Sequence, residues 1–377
     1  MAPAGAERGQ RRAPGGGRIA AAPPIRILLV DDSLVARTVL ARLVEGDSRF
    51  EVAGAFPGAD RAIDFLRTAP VDIVVLDVEM PGKDGLTALP EILEACKGAR
   101  VLIVSSAAAK GAAATMRALT LGAADTLLKP TAGSFGADFT RKYIDTLLRL
   151  GHRRKAVGAE QAYEPVHVAP MPEPVLVPLR APQAGGPVEC LAIGASTGGL
   201  HALSAFLQAL PKEFDAPILV TQHLPPVFMS YFANQLRDIC GRPAKVAQDG
   251  MRLVRGEIIV APGEGHIRLI MTDVVRIRID HDPAPSRCMP SVDPMFEAVA
   301  ELFGPAGVGI VLTGMGRDGT IGARNLVEVG AEVLAQDSSS SVVWGMPGSV
   351  ARAGLANVVA PPAQLAACVA ARGSAWT

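Results

Sequence analysis

Three residue types that together hydrolyse acyl groups stand at the ends of apolar runs in this chain. "IGASTGG", residues 193–199, places Ser196 in a Gly-rich turn, and "GASTG" fits G-x-S-x-G, a sharp strand-to-helix turn that presents a hydroxyl. His223 closes the run "APILVTQH", and Asp318 lies in the loop that follows "GIVL" in "GIVLTGMGRDG". A hydroxyl, an imidazole and a carboxylate serve in turn as nucleophile, base and orienting acid. A phosphate cradle is excluded by spelling. A dinucleotide fingerprint needs Gly where Ser196 stands, and a Walker loop needs Lys where Leu200 follows Gly199. The serine motif alone is weak, so its partners carry the reading. His152 and His167 lie in or beside a proline-rich stretch, His201 follows the turn on its helix, and His266 and His281 belong to a helix-free region. The chain order Ser, His, Asp does not suit an α/β-hydrolase, whose acid precedes its histidine. Only Asp215 lies between Ser196 and His223, at the start of a strand and so at the wrong edge.

A second constellation occupies the first half. Asp31 and Asp32 follow "IRILLV", Asp77 ends "VDIVVLD", Ser105 closes the run "RVLIVS", and Lys129 follows "ADTLL". Taken singly, each acid reads as a solvated loop residue. Brought together, three carboxylates repel one another unless a cation neutralises them, and an oxygen-only set suits Mg²⁺. With a hydroxyl and an ammonium beside them, the group suits phosphoryl transfer to an aspartate.

These residues need elements that bring strand ends together. From Ile25 to about Arg149, five apolar runs alternate with helical segments such as 34–45, where Val35, Val39 and Leu43 recur every four residues. That alternation predicts a five-stranded parallel sheet covered on both faces. Residues 151–187 hold seven prolines and no helical period, so 150–187 reads as an extended linker. From Val188 to about 373 the alternation resumes, with strands near 188–193, 217–221, 257–260, 266–271, 274–280, 308–312 and 331–335. The stretch 243–280 has strands without helices, including the hairpin-like "IIVAPGEGHIRLI". The expectation is therefore α/β throughout: two doubly wound domains, the second mostly parallel with an antiparallel portion. Residues 1–24, rich in Arg, Gly, Ala and Pro, read as a disordered tail without the apolar block of a signal peptide.

Composition narrows the partners. Lys plus Arg and Asp plus Glu number 37 each, so no net charge points to nucleic acid or an anionic membrane. No apolar stretch is long enough to span a bilayer, so membrane insertion is not expected. Five scattered cysteines without a C-x-x-C pair disfavour a disulfide framework or a zinc site and suit a reducing cytoplasm.

"LLVDDS", "VVLDVEMPGKDG", "VSS" and "LLKP" resemble the motifs of a response-regulator receiver domain with a flavodoxin-like fold. The resemblance, over residues 25–149, implies that Asp77 accepts phosphate from a histidine kinase. It also implies that Asp31, Asp32 and Asp77 hold Mg²⁺, and that Ser105 and Lys129 contact the phosphoryl group. "IGASTGG", "TQHLPP", "RCMPSVD", "VLTGMGRDG" and "VVWGMP" resemble the Rossmann-like catalytic domain of chemotaxis protein-glutamate methylesterases. That resemblance implies Ser196 as nucleophile, His223 as general base and acid, and Asp318 as its orienting acid. The substrates would be γ-glutamyl methyl esters, and often glutamines, on the cytoplasmic helices of chemoreceptors. No cofactor is expected in this domain.

Free N–H groups at the helix start, from Thr197 and Gly198, are candidate donors to the developing oxyanion. Met315 in "TGMG" is a further candidate, set against a plain turn that positions Asp318. In "SRCMPSVD" the family more often carries basic or imidazole residues where Cys288 and Met289 stand, and a lone cysteine is by default inert packing. The tether between the halves further suggests that the unphosphorylated receiver covers the Ser196 cleft. Two rival readings remain open at this level: a non-enzymatic receptor-binding module, and the same esterase serving another receptor pathway.

Overall fold

The computed structural model describes residues 23–106, 109–130, 135–151, 179–180 and 186–374. The expected tail over 1–24 and linker over 150–187 therefore lie mostly outside the described residues.

The first half forms β1 (Ile25–Val30), α1 (Leu34–Glu45), β2 (Phe50–Phe56), α2 (Ala59–Thr68), β3 (Ile73–Asp77), α3 (Gly85–Ala95), β4 (Arg100–Ser105), α4 (Ala109–Thr120), β5 (Asp125–Leu128) and α5 (Ala137–Gly151). All strand pairs are parallel, in the order β2-β1-β3-β4-β5. Strands covered on both faces need apolar residues at successive positions, and β3 is buried at every one. Ser33 and Asp84 start α1 and α3 by accepting the N–H of Ala36 and Thr87, each such cap being worth about 1 kcal/mol. The helix over 34–45 forms as expected, but its buried face is Ala36, Leu40 and Val44, while Val35 is exposed. Both sets repeat every four residues, and spacing alone does not say which one meets the sheet. α5 runs two residues past the expected boundary at 149, because Leu150 continues the buried stripe of Tyr143 and Leu147. Gly151 then packs so close to Ile25 that a Cβ there would lie 2.5 Å from its side chain.

The second half forms β6 (Cys190–Ala195), α6 (Gly199–Ala209), β7 (Ile218–Gln222), α7 (Pro226–Cys240), β8 (Ala244–Val246), β9 (Ile258–Val260), β10 (His266–Met271), β11 (Val275–Asp280), α8 (Val292–Phe303), β12 (Gly307–Val311), α9 (Thr320–Glu328), β13 (Glu332–Gln336), α10 (Met346–Arg352), β14 (Val358–Ala360) and α11 (Pro362–Ala371). Seven strands make one parallel sheet, β14-β13-β12-β6-β7-β9-β8. The antiparallel portion is present, but as a separate ribbon of β10 with β11 rather than as part of that sheet. The segment that reads as a hairpin is split: β9 joins the sheet and β10 leaves it. The three-residue strands β8 and β14 were not anticipated, being too short to show a period.

The chain leaves β6 toward β7, β8 and β9 on one side, then returns to β12 on the other. β6 and β12 thus flank the point where strand order reverses, the place where open α/β sheets hold their sites. Register aligns the strand ends there. Ala195 pairs with Gln222, so Ser196 and His223 are the next residues along, and Ser196 N–H donates to Thr313 O at 3.0 Å. The two halves also touch: α4 packs on α6 and α7, and Val342 packs against the core beneath α5.

Candidate active site

Ser196 begins the turn between β6 and α6 and is half-buried. Gly198 takes φ 76°, a left-handed conformation that costs glycine little, and a Cβ there would lie 2.4 Å from Val342. A Cβ on Gly199 would lie 2.0 Å from Gln222 Oε1, so the second glycine makes room for that carboxamide. Gln222 Nε2 in turn donates to Ser196 O at 2.9 Å. Across the cleft Gly314 packs against the nucleophile turn, since a Cβ there would come within 2.8 Å of Ser196 Cβ.

His223 Nε2 lies 2.8 Å from Asp318 Oδ2, with the imidazole 16% exposed and the carboxylate 1%. That geometry leaves Nδ1 as the nitrogen not engaged by the acid. Asp318 also accepts Ser291 Oγ–H at 2.6 Å and Val292 N–H at 2.8 Å. Behind it, His266 Nδ1 accepts Ser291 N–H at 2.8 Å. His266 must therefore carry its proton on Nε2, which faces Asp282 O at 3.0 Å. Among the described residues Ser196 Oγ makes no hydrogen bond, so the link to His223 that proton transfer requires is not formed in this arrangement.

Electrostatics follow from these contacts. Burial opposes the charge on Asp318, but His223, Ser291 and Val292 outweigh it and hold the carboxyl well below its usual range. Burial likewise opposes an imidazolium at His223, yet the Asp318 hydrogen bond, Cys288 and the nearby negative charge raise its pKa. Asp293 is pushed the other way, upward, by burial and by the Asp318 carboxylate, despite accepting Gly322 N–H at 2.8 Å. The two neighbouring acids are thus pushed in opposite directions, Asp318 down by its donors and Asp293 up by burial and by the charge beside it.

The anticipated oxyanion donors divide. Gly198 N–H donates to Ala124 O of the first half at 2.9 Å, and Thr197 Oγ1 donates to Asp125 Oδ2 at 2.5 Å. Met315 sits in the exposed loop after β12, and the neighbouring Gly314 O accepts the N–H groups of Gly345 and Met346. The cavity beside Ser196 is lined on one side by Leu119, Ala123, Ala124 and Asp125 of the first half. Gln222, Ser291, His266 and Asp293 escaped sequence reasoning. Ser291 and Asp293 stood within the quoted "PSVD", but nothing in that spelling says they face Asp318.

In the first half, Asp31, Asp32 and Asp77 bring carboxylate oxygens within 4.8 Å of one another at the ends of β1 and β3. Lys129 Nζ bridges Asp31 Oδ2 at 2.7 Å and Asp77 Oδ2 at 2.6 Å. Burial pushes Asp77 above the usual carboxylate range, Lys129 pulls it down, and Asp31 adds repulsion. Ser105 is fully buried, with its hydroxyl 2.6 Å from that of Thr115; a serine hydroxyl that accepts from Thr115 keeps its own proton to donate to a phosphate.

A family model for the response regulator receiver domain matches residues 27–134, and one for CheB methylesterase matches residues 191–369. The protein-glutamate methylesterase/protein-glutamine glutaminase 2 of Caulobacter vibrioides is 41% identical over 352 residues, covering 92% of this chain and 99% of that one. The protein-glutamate methylesterase/protein-glutamine glutaminase of Azospirillum brasilense is 38% identical over 354 residues, covering 90% of each chain. The crystal structure of the Thermotoga maritima CheB methylesterase catalytic domain is similar over 48% of this chain and 97% of its own, with 35% identity and a TM-score of 0.47.

Proposed function

This chain belongs to the family of receiver-regulated protein-glutamate methylesterases and protein-glutamine glutaminases, and we propose that it hydrolyses glutamate γ-methyl esters and deamidates glutamines on the cytoplasmic helices of chemoreceptors. Residues 25–151 act as the receiver and 188–374 as the catalytic domain. The observation that carries the reading is the 2.8 Å bond between His223 and a buried Asp318, with His223 and Ser196 each the next residue after the paired Gln222 and Ala195.

Ser196 Oγ attacks the ester carbonyl while His223 Nδ1 takes its proton. Asp318, fixed by Ser291 and Val292, holds the Nε2–H and offsets the imidazolium charge. The carbonyl oxygen, now negative, takes the Gly198 N–H at the start of α6; one such donor is typically worth about 2.7–4 kcal/mol. His223 returns the proton to the leaving oxygen, methanol departs, and water activated by His223 releases the glutamate. With a glutamine, ammonia leaves by the same steps.

The receiver contacts support a latch. Ala124 O occupies the Gly198 N–H, and Asp125 holds Thr197. Substrate would have to displace both. β5 is four residues long, with Asp125 at one end and Lys129 just beyond the other. A phosphoryl group on Asp77, donated by a histidine kinase, gives Lys129 a new partner and so pulls on the strand that forms the latch. Taking such an equilibrium from 1:99 to 99:1 needs about 5.5 kcal/mol of differential stabilisation. Asp31, Asp32 and Asp77 are an oxygen-only set for Mg²⁺, which when bound neutralises charge that Lys129 alone cannot. Acting on receptor helices that face the cytosol, the enzyme would work in the cytoplasm; separately, no helix among the described residues is long and apolar enough to cross a membrane.

Methanol release from methylated receptor membranes tests the whole reading. Wild type should release it and Ser196→Ala should not; equal release by both would leave a binding module as the better account.

A further inference from the structure

Cys288 does not stay apart from the catalytic machinery, although its place in sequence gives no hint of a partner. The loop before α8 turns at Arg287, which takes φ 60°, an uncommon conformation for a residue with a side chain. Beyond that turn Cys288 Sγ, a ring nitrogen of His223 and a carboxylate oxygen of Asp318 all lie within 4.8 Å of one another. Sulfur, imidazole and carboxylate are the three donor types that Zn²⁺ takes in proteins, at about 2.3, 2.0–2.1 and 2.0–2.2 Å. A tetrahedral ion with those bonds needs its ligands about 3.3–3.6 Å apart. The trio is thus within roughly 1–1.5 Å of a zinc geometry, a distance that side-chain rotation covers. Cys288 and His223 are both half-buried rather than sealed, so an ion can reach them. Asp318 keeps its other oxygen on Ser291 Oγ, the outer support that orients a metal-bound carboxylate.

We propose that His223, Cys288 and Asp318 form an inhibitory Zn²⁺ site, with water in the fourth position. The thiol loses its proton to solvent as the Zn–S bond forms, and Nε2 exchanges Asp318 for the ion while its proton passes through solvent to Nδ1, so the bound imidazole stays neutral with Nδ1 protonated. His223 then cannot take the proton of Ser196, so the bound ion silences ester hydrolysis without touching the nucleophile. The sequence hid this site because its ligands come from three distant segments, at 223, 288 and 318, with none of the short spacings that mark zinc motifs.

Only the inhibition rests on the esterase reading; the ion binding does not, and the two are measured separately. In the full chain, ester hydrolysis is followed against buffered free Zn²⁺ for wild type and Cys288→Ser. Half-inhibition of the variant should need about tenfold more zinc or beyond, since even the outer supports of a metal ligand are worth 10–100-fold. Independently of activity, Co²⁺ added to wild type should give a thiolate-to-cobalt charge-transfer absorption that Cys288→Ser lacks. The oxygen-only receiver site cannot produce that band, and the other cysteines are shared by both proteins. Equal zinc sensitivity of the two proteins, no inhibition of wild type, or a cobalt spectrum unchanged by the substitution would each overturn the proposal.

Discussion

Both chemical centres sit where a parallel sheet reverses its strand order, between β1 and β3 in the receiver and between β6 and β12 in the catalytic half. They manage buried negative charge by different means. In the receiver, three carboxylates face one lysine, and burial pushes Asp77 upward although Lys129 touches it. That crevice is short of positive charge and suited to taking up a cation. In the catalytic cleft one carboxylate, Asp318, is saturated by His223, Ser291 and Val292, and is held low. One architecture therefore yields a cluster of acids short of partners or a single acid met by several donors, depending on how many hydrogen-bond donors surround the carboxylate.

The largest test of that contrast is removal of the nucleophile. Ser196→Ala should lower kcat for ester hydrolysis about a millionfold, as loss of a serine nucleophile does elsewhere, with thermal stability little changed. A loss below about a hundredfold would mean that another group attacks. Asp318→Asn comes next, at about ten-thousandfold. It also moves the pH profile in a direction fixed by sign. His223 is held above the ordinary histidine value of about 6.5, and it accepts a proton only when neutral. The rising limb of kcat/KM should therefore lie above that value in wild type. Replacing the carboxylate removes a hydrogen bond and a negative charge that favour imidazolium, so the limb should shift to lower pH. A limb that stays put would deny Asp318 its electrostatic role.

How far the sequence reaches differs between the two crevices. The receiver acids stand at or just past the ends of short, mostly apolar strands, and the strands were legible because parallel strands buried on two faces spell continuous apolar runs. Ser196 and His223 could be placed at one sheet edge for the same reason, each standing at the end of such a run, and Asp318 in the loop that leaves the next one. Ser291 and His266 were not, because Ser291 reaches Asp318 from a loop and His266 supports Ser291 from a ribbon, and neither contact is spelled in a local period. Val35 misled for a related reason: its four-residue repeat is as regular as that of Ala36, and only the packed sheet chooses between them. The Gly198–Ala124 contact joins segments 74 residues apart in sequence, and local spelling carries nothing about it.

The coupling between the crevices gives the next expectation. Asp77→Asn removes the phosphate acceptor, so a small-molecule phosphoryl donor should no longer raise ester hydrolysis. The donor-free rate should stay near that of wild type, because the latch at Ala124 and Asp125 is not altered directly. Continued activation by the donor would move the phosphorylation to another residue.

The smallest effect is the most informative about the latch itself. Asp125 accepts from Thr197 Oγ1 at 2.5 Å and also faces Arg149 at 3.5 Å, so its carboxylate ties the catalytic half to α5 as well as to β5. A hydrogen bond to a charged group contributes about 1.5–3 kcal/mol, and the Gly198–Ala124 bond remains when Asp125 is shortened. Asp125→Ala should therefore raise the donor-free rate of ester hydrolysis about tenfold without reaching the fully activated rate. With saturating phosphoryl donor the variant and wild type should converge, since the carboxylate matters only while the receiver is docked. Asp125→Asn keeps a neutral acceptor and should fall between the two. If Asp125→Ala leaves the donor-free rate unchanged while the receiver still melts as in wild type, the backbone contact to Gly198 alone holds the cleft shut. The strand that links Lys129 to the active site would then act through its main chain.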